Sequence, residues 1–195
     1  MEKQSIFEYG VEPPKIIYLA AFKAEHPRFD ITYQDINGKR DVAGDMMEVD
    51  LTPYDIIIAT PPCNWWSMAN IGKYKGTPGK YAAETKHLLP SIISKCIEID
   101  KPFIIENVRS KHEYKKHGLF NFDCMVSEYG RHTYWTNIPF NPSGVKQIKD
   151  FVGAMAHKKF TYPTADNKNS QGGQNVHNVI DYWLDIVTNN GGKQL

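Results

Sequence analysis

The sequence predicts an α/β domain built on a largely parallel sheet with flanking helices. Three observations predict it. Two short runs, YDIIIAT over 54–60 and FIIENV over 103–108, are apolar and β-branched, the composition of strands buried on both faces. Between them, residues 82–99 carry apolar side chains at helical spacing. Strands that alternate with helices are joined by crossovers, and crossovers make neighbouring strands parallel.

Taken in order, residues 1–14 read as irregular and close on Pro13-Pro14. KIIYLAAF (15–22) is a buried strand or the start of a short helix, since periodicity does not separate the two in so short a run. Ile31 to Ile36 reads as a strand that ends in the turn Asn37-Gly38. The run 54–60 stops at Pro61-Pro62, and residues 70–81, with Lys73, Lys75 and Lys80 among glycines, read as a mobile basic loop. In 82–99, Leu89, Ile92, Ile93, Cys96 and Ile97 share one face, and Pro90 makes the helix kink or begin late. Residues 109–121 look basic and loop-like. Residues 122–127 and 131–139 read as antiparallel strands joined through Glu128-Tyr129-Gly130. A short helix is expected at 144–152 and a longer one at 176–187, where Val176, Val179, Ile180, Trp183, Leu184 and Val187 form one face and Asp181 and Asp185 another.

Composition narrows the function. A chain of 195 residues suits one domain, here 1–195, with a core of its own. Lys plus Arg is 23 against 22 for Asp plus Glu, so contact with nucleic acid must come from local patches and not from bulk charge. Cys63, Cys96 and Cys124 are odd in number and widely spaced, with no C-x-x-C pair, which argues against a disulfide framework or a zinc ribbon. The histidines show no metal-ligand spacing. No apolar run is long enough to span a bilayer and the start lacks a signal-peptide pattern, so a cytoplasmic protein without membrane contact is expected.

The most informative segment is Thr60-Pro61-Pro62-Cys63-Asn64-Trp65-Trp66-Ser67, directly after a buried strand. Ligands of open α/β sheets bind beyond the carboxyl ends of strands, which makes Cys63 a candidate nucleophile there. A free thiol is only a few per cent thiolate at neutral pH, so catalysis calls for a lowered thiol pKa or an activated substrate. By the same rule Glu106, at the end of 103–108, approaches the same crevice, partly desolvated and able to donate a proton or bind a ring nitrogen. Trp65 and Trp66 read as core residues or as stacking platforms for a base. His132, beside Arg131, reads as a surface histidine or a substrate contact, and Lys111, Lys115, Lys116 and His117 as a solvated basic face or a phosphate contact. Lys158-Lys159-Phe160 fits either a phosphate contact or a plain surface segment.

These residues resemble the motifs of the cytosine-5 DNA methyltransferases. Pro62-Cys63 with Ser67 is similar to their P-C-x-x-x-S nucleophile motif, and Glu106-Asn107-Val108 to their E-N-V motif. Gly44-Asp45-Met46 resembles the segment whose aspartate binds the cofactor adenine, and Asp35 falls where an acid holds the cofactor ribose. Gly173-Gln174-Asn175-Val176 is similar to the closing motif that lines the cofactor pocket, and Arg131 stands where the family holds the target base, although one arginine replaces two. The family's F-x-G-x-G opening is reproduced neither by SIFEYG nor by IIYLAAF. About thirty residues, 141–171, occupy the interval of the target-recognition region, with 172–195 closing the domain.

The resemblance implies a Rossmann-like methyltransferase fold, S-adenosylmethionine as cofactor and a flipped cytosine of DNA as substrate, with little sequence selection. Cys63, Glu106 and Arg131 would then act on the base, and Asp35, Asp45, Pro61 and Asn175 would hold the cofactor. A methyltransferase for another base, RNA or a free nucleotide, and a non-catalytic module of the same fold that binds nucleic acid or a partner protein, stay open. So does the oligomeric state.

Overall fold

In the computed structural model, which describes residues 12–21, 26–67, 80–145 and 171–190, the buried runs become the centre of one sheet. The strands are β1 (Ile16–Leu19), β2 (Ile31–Asp35), β3 (Val42–Ala43), β4 (Ile56–Ala59), β5 (Phe103–Val108), β6 (Met125–Tyr129) and β7 (His132–Thr136). They form a seven-stranded sheet in the order β3-β2-β1-β4-β5-β7-β6. β1 to β5 are parallel, while β7 runs antiparallel to both β5 and β6. This strand order, with one antiparallel strand inserted next to β5, agrees with the sheet that the resemblance leads one to expect. The strand order reverses between β1 and β4, so the crevice beyond their carboxyl ends is the binding position of such a sheet.

Side chains alternate across each strand and divide the core in two. Ile17, Leu19, Ile57, Ala59, Phe103, Ile105 and Trp135 point to one face. There they meet Leu89, Ile92, Ile93 and Cys96 of α2 (Leu88–Ile99). Ile16, Tyr18, Ile56, Ile58, Ile104 and Tyr134 point to the other, against Val176, Val179, Ile180, Trp183 and Leu184 of α4 (Gln171–Asn190). KIIYLAAF is therefore a strand, held between β2 and β4.

The segment 82–99 divides into α1 (Lys80–Thr85) and α2. The second helix begins at Leu88, which puts Pro90 in a first turn whose N–H groups need no helical acceptor. It ends on Asp100 in the left-handed conformation (φ 55°), whose N–H donates to the Ile97 carbonyl.

Four expectations are revised. Residues 109–121 are not all loop, because α3 (Lys111–Lys116) lies there, anchored by fully buried Tyr114. The hairpin turns through Gly130-Arg131, with Gly130 at φ 61°, and not through 128–130. A 3-10 turn at Pro142–Gly144 stands at the start of the expected helix 144–152, of which residues 146–152 lie outside the described residues. The last helix starts at Gln171, so Gly173–Val176 falls inside its first turns. The lysine loop, apart from Lys80 and Tyr81, and Lys158-Lys159-Phe160 also lie outside the described residues. Among the described residues no helix is long and apolar enough to cross a membrane.

Candidate active site at the switch point

Three strand ends meet beyond the sheet. Thr60, which follows β4, donates its N–H to the Leu19 carbonyl and its hydroxyl to the Ala20 carbonyl, each at 3.1 Å. The exits of β1 and β4 are thereby tied together. Pro61 is buried, and Cys63 to Ser67 close a turn through the bond from Ser67 N–H to the Cys63 carbonyl, 2.9 Å. Trp66 pins that turn. It is fully buried and packs on Tyr114 and His117 at ring distances of 5.4 and 5.6 Å. Trp66 is thus a core residue and no platform for a base. Trp65 is half-buried, with the Lys86 ammonium 4.4 Å from its ring centre.

β5 delivers two polar side chains to this edge, on opposite faces because they are consecutive. Asn107 is 1% exposed, and its Nδ2 donates to the Pro61 carbonyl at 2.9 Å. Its Oδ1 accepts from its neighbour Val108 N–H and from the Tyr114 hydroxyl at 3.0 and 3.3 Å. Motif spacing alone says nothing of this clamp, although it holds the proline loop that carries Cys63. Asn107→Ala leaves a buried carbonyl without its donor and is expected to cost roughly 2–4 kcal/mol, read as a lower denaturation midpoint.

Glu106 Oε1 lies 2.6 Å from Nδ1 of His132, a hydrogen-bonded pair. The two side chains are 12% and 16% exposed, so His132 is no surface histidine. Burial raises the Cys63 thiol pKa, and the negative charge of Glu106 adds to the rise. The shift runs against a lowered thiol pKa, one of the two routes to catalysis, and favours activation through the substrate. Tyr114 and Tyr134 are likewise raised by burial and then by Glu106. Arg131 sits exposed in the hairpin turn, where its carbonyl accepts from Arg109 N–H at 2.7 Å. β7 begins opposite the end of β5, so Arg131 lies at the same sheet edge.

The cofactor side follows the ends of β1, β2 and β3. Asp35 ends β2, and its Oδ1 accepts from Asn37 N–H at 3.1 Å. Asp45 is exposed and accepts from Met47 N–H at 2.9 Å. Gln34, fully buried, accepts from Ala20 N–H at 2.7 Å and donates to the Gly44 carbonyl, so one amide links all three strand exits. Gly44 has φ 120° and open space where a Cβ would stand, leaving bare backbone beside Asp45. Two carboxylates next to bare backbone fit a nucleoside, which offers ribose hydroxyls and an exocyclic amine as donors. Ala20 occupies the exit of β1 with φ 52°, a conformation that a glycine adopts freely and that costs another L-residue about 1–2 kcal/mol. SIFEYG lies outside the described residues. Asn175 is in the first turns of α4, and its side chain lies outside the described residues.

Comparison with known proteins gives a consistent picture. The family profile described as C-5 cytosine-specific DNA methylase matches residues 10–181. Among solved structures, the chain is similar to the Entamoeba histolytica methyltransferase EhMeth at 14% identity and a TM-score of 0.39. That similarity covers 67% of this chain and 55% of the other, so the chain spans about half of that structure. The curated proteins contain no match.

Proposed function

Because the chain belongs to the C-5 cytosine-specific DNA methylase family, whose methyl donor is S-adenosylmethionine, we propose that it methylates carbon 5 of cytosine in DNA with Cys63 as the covalent nucleophile. The observation that carries this reading is that Cys63 follows the end of β4 and Glu106 lies near the end of β5, its parallel neighbour, so both belong to the same edge of the sheet.

The cytosine leaves the duplex stack at a cost of a few kcal/mol and enters the crevice, with Arg131 holding it from the hairpin side. Cys63 Sγ forms a bond to ring carbon 6 and its proton passes to solvent water as the bond forms. Glu106 in its carboxylic acid form hydrogen-bonds to ring N3 and gives it a proton as addition builds negative charge on the base; that proton returns to Glu106 when the ring is restored. Asp35 and Asp45 hold the nucleoside half of the cofactor by accepting its hydroxyl and amino hydrogens, with Pro61 at its border. When bound, S-adenosylmethionine supplies the methyl group that carbon 5 receives. Loss of the carbon 5 proton then expels Cys63 as the double bond re-forms. With so short a segment between β7 and α4, sequence selection by the protein is expected to be weak.

The test is transfer of a labelled methyl group to cytosine in duplex DNA, together with calorimetry of S-adenosylmethionine binding. Asp45→Ala is expected to weaken binding about tenfold, or roughly 1.4 kcal/mol. Neither binding nor transfer by the wild type would overturn the proposal and favour a nucleic-acid or partner-binding module of the same fold.

A further inference from the structure

We propose that His132 is the positioning residue for Glu106, fixing the rotation of its carboxyl group so that one oxygen is held and the other is presented to the base. The inference rests on the reading of Glu106 as the group that meets the base.

The sheet register makes the contact. Glu106 pairs with Tyr134 and Val108 with His132, so His132 is the diagonal neighbour of Glu106 on the same face of β5 and β7. Its Nδ1 lies 2.6 Å from Oε1. Other basic groups near this edge are otherwise placed. Arg109 pairs with Glu128 at 3.0 Å, and Arg131 is exposed in the turn. Among the described residues, the bond from His132 is the one hydrogen bond that the Glu106 carboxylate accepts.

The terminal torsion of a glutamate is broad, so a carboxyl group without an anchor samples many orientations. A bond at Oε1 narrows that range and leaves Oε2 for the ring nitrogen. Oε1 accepts whether or not Oε2 carries the proton that ring N3 takes, so the imidazole must carry a proton on Nδ1, which sets its tautomer. Misplacement of such a group by about 1 Å costs on the order of 10²-fold in rate.

The test uses the full chain in two arms. The first needs no catalysis. Nitrogen-15 NMR of histidine-labelled protein is expected to show His132 protonated on Nδ1, with the resonance assigned by its absence in His132→Asn, and that preference is expected to vanish in Glu106→Ala. The second arm is kinetic. His132→Leu is expected to lower kcat about 10²-fold with KM for DNA and cofactor within twofold. His132→Asn, which places an amide N–H where Nδ1–H stood, is expected to recover activity to within about tenfold of wild type. The proposal is overturned by a His132 proton found on Nε2, by a leucine variant within about threefold of wild-type kcat, or by an asparagine variant no better than leucine. A wild-type protein that transfers no methyl group sinks the methyltransferase proposal instead, and the NMR arm then decides alone whether His132 holds Glu106.

Discussion

Cys63→Ser is expected to lower methyl transfer by about 10³-fold or more while leaving S-adenosylmethionine binding and the unfolding midpoint close to wild type. The substitution is small, because Cys63 is half-buried in a turn closed by backbone and pinned by Trp66, none of which needs the sulfur. A serine hydroxyl is a far weaker nucleophile without an adjacent base, and the turn supplies none. The pH dependence has a definite sign. Burial and Glu106 raise the thiol pKa, so at neutral pH the resting thiolate fraction is below that of a free thiol. Turnover is therefore expected to rise with pH and to go on rising past about 8.5, where an unperturbed thiol levels off. The neutral thiol stabilises the fold fully below its unfolded-state pKa, and this contribution declines as pH rises through the raised value. Transfer by Cys63→Ser at more than about a tenth of the wild-type rate would remove Cys63 from the chemistry.

Trp183→Ala is expected to destabilise the protein by about 3–5 kcal/mol, a large share of the roughly 5–15 kcal/mol that holds a domain together. Trp183 is fully buried at the centre of the α4 face, and its Nε1 donates to the Thr136 hydroxyl on β7 at 3.0 Å. Removal opens a cavity between helix and sheet and takes a donor from a buried hydroxyl. Guanidinium unfolding reads the loss directly, and a change under about 1 kcal/mol would show that α4 contributes little to stability. The consequence reaches the site, because α4 packs on the same face of the sheet as Tyr134, which is paired with Glu106.

β4 and β5 were legible in the sequence, since their apolar runs are buried on both faces and their neighbours do not alter that requirement, whereas the equally buried β1 lies in a run that also reads as a helix start. β3, at two residues, has no pattern to read, being fixed by pairing with Gln34 and Asp35. α3 carried one overlooked sign, the Ser110-Lys111-His112-Glu113 spacing of a helix start, although Ser110 makes no capping bond. The two ends of the site, Cys63 and Glu106, were legible because each follows a buried strand and strand ends share a crevice. What holds them was not. The bond from Asn107 to Pro61 and that from His132 to Glu106 depend on which strands are neighbours and in what register, information that no local window contains. The β1 exit was ambiguous for a related reason, because its left-handed turn is occupied by alanine and the expected glycine signal is missing.

The pairing of the sheet with α4 also sets a schedule for synthesis. Ile16 and Tyr18 leave the ribosome early, yet their face is covered by Ile180 and Trp183, and His26 is bonded to Asp181 at 2.5 Å. Until that helix emerges, one side of five strands stays bare, at a translation rate of about 5–20 residues per second. The nascent chain therefore spends many seconds with a sticky apolar surface. Its yield in the cell is expected to depend on holdase chaperones more than that of a protein whose contacts close in the order in which they are made.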